Sequence, residues 1–312
     1  MSAPLNLVFC GTPGFAVPTL AALVEVGFRV PLVVTQPDRP RDRGMELAAS
    51  PVKQEAVRLG LPVNQPERIK NNEGFRSQLL AIQPDAIIVV GYGRIIPQWM
   101  IDLPRLGNIN LHGSLLPKYR GAAPIQWAIA RGESVTGVTT MRIDSGLDTG
   151  DILLQQEVPI KPQETALTLG RQLAVIGAAL MVRTLQESVT GTVQPRPQDD
   201  SRATLAAILK KEDGRIDFAR TAIEIFNRLR GFQPWPGAFT TFRGKTLNIW
   251  HARTVERSAA PGELLVDAES MIAGCADNTA IEFLEVQPEG KKRMPAKAFI
   301  QGHRPQSGEK LG

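Results

Sequence analysis

Along the first half of the chain, short apolar runs alternate with stretches whose apolar residues recur at helical spacing. Leu5–Cys10, Val30–Thr35 and Ala86–Val90 read as strands, and Pro18–Val26 and Pro51–Leu59 read as helices between them. That alternation predicts a mostly parallel sheet. The runs end in turn residues, Gly11-Thr12-Pro13-Gly14 after the first and Gly91-Tyr92-Gly93 after Ala86–Val90. Open α/β sheets bind ligands beyond such carboxyl ends, so a site is sought there. Further on, Gly107–His112 predicts a strand, Gly121–Ala130 a helix, Thr136–Met141 a strand and Thr165–Glu187 a long amphipathic helix.

The pattern then breaks. SVTGTVQPRPQDDSRA, residues 188–203, is polar, holds two prolines and has no apolar period, as a linker would. Beyond it one helix, Thr221–Leu229, precedes the strand-like runs Ala238–Phe242, Thr246–Val255, Glu263–Val266, Met271–Ala273 and Ala280–Val286. The expected class is α/β: a Rossmann-like, mostly parallel sheet over residues 1–189, a linker over 190–208, and a small OB-like β-barrel over 209–312.

Composition narrows the classes. With 312 residues, 43% hydrophobic and 21% charged, the chain has the makeup of a globular protein of about two domains. Two cysteines, Cys10 and Cys275, are far apart and lack metal-ligand or redox spacing, so neither a disulfide framework nor a metal site is expected. No run approaches the ~20 apolar residues of a membrane span, and the N-terminus lacks the basic stretch of a signal peptide. A cytoplasmic protein is expected, with no membrane partner and, in the absence of a recognisable dimer helix, as a monomer. The net charge of +5 is too mild to predict nucleic acid by itself.

Three segments carry candidate chemistry. In Gly107-Asn108-Ile109-Asn110-Leu111-His112, strand alternation puts Asn110 and His112 on one face, at the end of a predicted strand. A lone histidine is more often a hydrogen-bonded structural residue; the neighbouring amide and the strand end raise its candidacy. In Asp144-Ser145-Gly146-Leu147-Asp148-Thr149-Gly150-Asp151, two glycines bracket Asp148, which allows a tight loop but does not reproduce a calcium-loop pattern. From such a loop Asp148 can either orient His112 or accept a proton. Residues 36–47, QPDRPRDRGMEL, set Arg39, Arg41 and Arg43 on one charged loop suited to phosphate contacts, if it is more than solvated surface. The turn after the first strand lacks both GxGxxG and GxxxxGK[ST], which disfavours a dinucleotide or P-loop nucleotide.

Taken together, FCGTPGFAVPTL, TQPDRPRDRG, PDAIIVVGYGRIIP, NINLHGSLLPKYRGAAPIQWAI and DSGLDTGDIL resemble the methionyl-tRNA formyltransferase family, as do KKEDGRIDF and RGFQPWPGAFT later in the chain. The resemblance implies transfer of the formyl group of 10-formyltetrahydrofolate, a cosubstrate, to the α-amino group of initiator methionyl-tRNA. Asn110, His112 and Asp148 match the family's catalytic triad, and Ser114, Leu115, Leu116 and Pro117 match the segment set against tetrahydrofolate. By the same analogy Gly93-Arg94-Ile95-Ile96 lines the pterin slot, Arg43 recognises tRNA, and the C-terminal domain assists tRNA binding. The loop departs from the family pattern: Arg41-Asp42 replace an Ala-Gly pair and Met45-Glu46 replace two lysines, which leaves Arg39 or Arg41 to substitute for them.

The residues accommodate that reaction on physical grounds. An amine attacking a formyl carbon builds a tetrahedral intermediate with a developing oxyanion, and a preorganised donor is worth about 3–4 kcal/mol there. Asn110 and His112 supply donors, and a histidine–carboxylate pair can route the proton. Direct transfer is expected, because no activated serine or cysteine is indicated. The rival readings are a formyltransferase acting on a small amine and an RNA-binding module without catalysis.

Overall fold

A computed structural model describes residues 5–41 and 46–312, with backbone only at residues 40, 41, 46 and 47. Its contacts divide the chain into two compact units. The first comprises residues up to Pro124, Val135–Pro159 and Gly170–Ala206; the second comprises Ile125–Ser134, Ile160–Leu169 and Ala207–Gly312.

In the first unit the strands are β1 (Asn6–Gly11), β2 (Arg29–Val34), the hairpin β3 (Arg39–Arg41) and β4 (Glu46–Ala48), β5 (Val63–Asn64), β6 (Ala86–Val90), β7 (Asn108–His112), β8 (Arg120–Gly121), β9 (Val135–Arg142), β10 (Ile152–Pro159) and β11 (Leu205–Ala206). The helices are α1 (Val17–Glu25), α2 (Pro51–Arg58), α3 (Glu73–Ile82), α4 (Gln98–Ile101) and α6 (Ala166–Thr190), with α5 (Pro124–Ala130) falling mostly in the second unit. The main sheet runs β10-β9-β7-β6-β1-β2-β5. Its pairs from β7 through β5 are parallel, and β9 and β10 are antiparallel at one edge.

Strands β1 and β6 lie at the centre and are apolar on both faces, as a sheet covered by helices on both sides requires. Val8, Cys10, Leu32, Val34, Ile87 and Val89 share one buried cluster with Phe75 and Leu79 of α3. At about 1.5–3 kcal/mol per large buried side chain, this cluster holds the sheet centre rigid and leaves the loops at its carboxyl edge free for function. α2 begins where Ser50 accepts the Lys53 N–H at 3.1 Å with Pro51 in the first turn, and α3 where Asn72 accepts from the Phe75 N–H at 3.0 Å.

β7 enters the sheet between β6 and β9, with Asn110 opposite Val89 and Met141, and His112 opposite Thr139. Gly177 of α6 faces it: a Cβ there would stand 2.6 Å from the Leu111 Cδ2, so glycine is what lets the helix approach the strand. α6, with 25 residues, is long and apolar enough to cross a membrane by length and composition alone. Its Leu173, Ala174, Met181 and Leu185 are buried, and Thr184 exchanges a 2.8 Å hydrogen bond with Thr140 of β9, the arrangement of a core helix.

The expected helix at Gly121–Ala130 starts later, because Arg120–Gly121 extend as β8 and pair in parallel with β11. The segment expected as a linker over 190–208 is therefore built into the first unit as far as Ala206. Its backbone is paired, not solvated: Arg196 bridges Ile152, Thr204 O accepts the Arg120 N–H, and Ala206 O accepts the Ala122 N–H.

The second unit contains α7 (Ala222–Gly231), an antiparallel sheet and α8 (Ala296–His303). Its strands are β12 (Ala238–Phe242), β13 (Lys245–Val255), β14 (Leu264–Val266), β15 (Met271–Gly274), β16 (Ala280–Pro288) and β17 (Met294–Pro295). The order is β12-β13-β16-β15-β14, with β17 on β16. Thr221 and Glu224 cap α7 reciprocally, and Phe226, Leu229, Phe242, Ile249, Leu264, Phe283 and Phe299 form its core. Two earlier segments join this unit through side chains that their position in the chain does not reveal. Trp127 meets Phe232 edge to face at 5.2 Å, and Arg230 donates to Glu164 O at 2.7 Å.

Candidate active site

Two asparagines on β7 have different employment. Asn108 is 1% exposed and its amide donates to the carbonyls of Met100 and Ile101 at 2.8 and 3.1 Å, which anchors the strand's start. Asn110, two residues on, is half-buried, and among the described residues no protein group takes up its side-chain amide. It is the member of the pair left to a ligand.

His112 follows on the same face and is buried. Its Nε2 lies 2.8 Å from Tyr119 O. A carbonyl only accepts, so Nε2 carries a hydrogen and Nδ1 is the ring nitrogen turned to the site. Nδ1 stands 3.6 Å from Asp148 Oδ2. That separation is beyond a hydrogen bond but within ion-pair reach once the imidazole is protonated.

Asp148 sits in the loop between β9 and β10 at φ 54, a left-handed conformation that aspartate tolerates better than most residues. Its Oδ2 also accepts the Gly121 N–H at 2.8 Å. Gly121 has φ 118, and a Cβ there would stand 2.7 Å from Ala206 O, so this contact requires glycine. Within the loop, Asp144 accepts from the Gly146 N–H at 3.0 Å and from Thr149 Oγ1 at 2.8 Å. Asn110, His112 and Asp148 thus come from one strand and one loop beside it.

The Ser114–Pro117 turn is tied to the sheet edge. Ser114 is fully buried and its hydroxyl donates to Lys118 O at 2.6 Å, while Leu116 packs with Met141 and Ile152. Thr139 donates to Ser114 O at 2.6 Å and Gln155 donates to Leu116 O at 2.9 Å. The parts of this turn left accessible are Leu115 and Pro117, both half-buried.

Around Gly93–Ile96, Arg94 Nε donates to Gln36 Oε1 at 3.0 Å and the side chain of Ile95 is 91% exposed. A cavity of about 440 Å³ opens there, lined by Arg68, Ile69, Lys70, Asn71, Arg94 and Ile95. Asn110, His112 and Asp148 do not line it. Arg39 is exposed on β3; the side chain of Arg41 and the whole of Arg43 lie outside the described residues. Among the described residues no group of three or more His, Cys, Asp or Glu side chains is disposed to hold a metal.

Sequence reasoning missed four contributors: Tyr119, Arg120, Gln198 and Thr204. Tyr119 supplies the carbonyl that sets the His112 tautomer, and Thr204 Oγ1 accepts the Tyr119 N–H at 2.8 Å. Gln198 donates to the carbonyls of Asp148 and Gly150, and its oxygen accepts from Arg120. A glutamine in a proline-rich polar stretch carries no signal for such a role.

Comparison with known proteins agrees with the fold. A family model described as formyl transferase matches residues 5–185, and one described as formyl transferase, C-terminal domain, matches residues 208–304. The chain belongs to the formyl transferase family. Its relatives include the methionyl-tRNA formyltransferase of Koribacter versatilis, 66% identical over 98% of both chains, and that of Acidobacterium capsulatum, 62% identical over 96% of this chain and 97% of the relative. Among solved structures, an N-formyltransferase from Helicobacter canadensis, in complex with folinic acid and dTDP-3-aminofucose, superposes with a TM-score of 0.67 at 20% identity. That match covers 91% of this chain and 99% of the other, and at such identity it speaks to the fold.

Proposed function

We propose that this enzyme transfers the formyl group of 10-formyltetrahydrofolate to the α-amino group of initiator methionyl-tRNA, giving N-formylmethionyl-tRNA for translation initiation in the cytoplasm. The observation that carries this reading is the 66% identity to a methionyl-tRNA formyltransferase over 98% of both chains. A match of that kind leaves neither domain unaccounted for.

The donor fits the residues available. Asn110 offers an amide without a protein partner among the described residues, the turn at Leu115 and Pro117 offers an apolar wall, and the backbone of Gly93-Arg94-Ile95-Ile96 is assigned to the pterin. When bound, 10-formyltetrahydrofolate presents a formyl carbon to the incoming amine. The amine's new C–N bond gives a tetrahedral intermediate, the bond to N10 then breaks, and the amine's proton ends on N10.

Asn110 donates to the formyl oxygen as charge develops there, a contact worth about 3–4 kcal/mol in a shielded site. With Nε2–H held by Tyr119 O, only Nδ1 of His112 is free to take or return a proton. Asp148 stabilises the charged ring and keeps Nδ1 aimed at the reacting groups. Arg39, Arg41 and Arg43 contact the tRNA backbone, and the second unit is an OB-like tRNA-binding domain. The enzyme works as a monomer.

The test is formyl transfer from 10-formyltetrahydrofolate to initiator methionyl-tRNA, run beside elongator methionyl-tRNA and a panel of small amines. Selective formylation of the initiator is the expected result. Transfer to a sugar amine or another small amine instead would keep the chemistry and overturn the substrate.

A further inference from the structure

We propose that Gln198 is a positioning residue for this formyl-transfer site: it holds the Asp148 loop in the conformation that aims the carboxylate at His112. The proposal rests on the function just proposed and adds to it a residue from the stretch that joins the two domains in sequence.

The Asp148 loop is held from outside. The loop's internal bonds, from Asp144 to Gly146 and Thr149, stop short of the Asp148 main chain. The carbonyls of Asp148 and Gly150 are both taken by one donor, Gln198 Nε2, at 2.8 Å each. These two bonds use both hydrogens of the amide. Its Oε1 accepts from Arg120 Nε at 3.0 Å and from the same guanidinium's NH2 at 2.8 Å. The amide therefore has one orientation. Reversed, it would set an oxygen against two carbonyls and an NH2 against a guanidinium.

Arg120 fixes the far end. It is 7% exposed, and its NH2 pairs with Asp200 Oδ1 at 2.7 Å. Its neighbours in the chain touch the other two parties: Tyr119 O takes the His112 Nε2–H, and the Gly121 N–H goes to Asp148 Oδ2. Thr204 accepts the N–H groups of Tyr119 and Arg120 through its hydroxyl and carbonyl, both at 2.8 Å. Residues 198–206 thus grip the strip 119–121, which contacts His112 on one side and Asp148 on the other. Gln198 closes the ring by holding the Asp148 backbone directly. Small displacements of a reacting group are costly in rate, so a residue that fixes this geometry matters without touching substrate.

Gln198→Glu and Gln198→Met test this in the full-length enzyme. The first keeps the shape and the Arg120 contact but cannot donate to the two carbonyls; the second is neutral and cannot donate either. Both are expected to lower kcat at least about tenfold while leaving KM for the folate donor and for tRNA within about twofold. Hydrogen exchange at the Gly121 amide and through residues 144–151 is expected to speed up at least about tenfold, with the amides of β6 and β7 unchanged. Unchanged kcat in both variants, a loss confined to the glutamate variant, or unchanged exchange at Gly121 would each overturn the proposal. Exchange needs no turnover. If the wild-type enzyme fails to formylate initiator methionyl-tRNA, the reading of function fails, and exchange at Gly121 still decides whether Gln198 holds the loop.

Discussion

His112 Nδ1 and Asp148 Oδ2 face each other across 3.6 Å, with the other ring nitrogen committed to Tyr119 O and the same carboxylate oxygen committed to the Gly121 N–H. Each partner is therefore oriented by the 119–121 strip before substrate arrives. The tautomer follows: ¹⁵N NMR of the neutral ring should find hydrogen on Nε2. Hydrogen on Nδ1 instead would remove the basis for its role as the free nitrogen.

Asp148→Asn separates charge from shape. The amide oxygen can still accept from Gly121, so the loop should stay in place and the melting temperature should change little. The charge opposite the imidazole is gone, and kcat is expected to fall by about 10²–10⁴-fold. Steady-state formylation beside a thermal melt checks both halves; full activity in a folded variant would exclude Asp148 from the chemistry.

Gly177→Ala tests the support under β7. Alanine brings about 0.8–1 kcal/mol of helix propensity. Its Cβ would lie 2.6 Å from Leu111 Cδ2, and overpacking of that kind costs about 1–3 kcal/mol. The second effect should win, with a lower melting temperature. Because Leu111 lies between Asn110 and His112, kcat should drop as well. A variant more stable than the parent would show that Leu111 yields freely.

Ionic strength should separate the two substrates. A polyanion held by several arginines loses affinity steeply with salt, whereas a small donor loses little. KM for tRNA is thus expected to climb sharply between about 50 and 200 mM salt while KM for the folate donor stays nearly level. Parallel behaviour of the two constants would count against a phosphate-gripping surface.

Both cysteines are buried, and burial pushes the Cys275 thiol up to about 11 and Cys10 higher than the ordinary thiol range. The reactive form is the thiolate, so a disulfide reagent at pH 8 should label neither in the native protein and both after unfolding. The sign of the linkage follows. Above about pH 9 the unfolded chain ionises its thiols while the folded chain resists, so stability should decline from there as pH rises. Flat alkaline stability, or rapid native labelling, would contradict this burial.

Much was legible in the chain itself. Periodicity located β1, β6, β7 and α6, because their apolar faces answer to one dominant influence, burial in a covered sheet. Asn110 and His112 were paired by strand alternation alone, and Asp148 was singled out by its bracketing glycines. Short elements such as β8 and β11 escaped, since two residues leave a period no room to repeat.

What the sequence by itself determined is the set of candidate groups, Asn110, His112 and Asp148, and the sheet edge that presents them; both follow from local alternation and turn chemistry. Only the tertiary structure decided which asparagine is free, which imidazole nitrogen is spoken for, and that residues 198–206 serve the site. Those outcomes rest on hydrogen bonds between residues up to 85 positions apart, such as Tyr119 with Thr204. A carbonyl accepts from whichever donor folding brings to it, and no local pattern in the chain records that meeting.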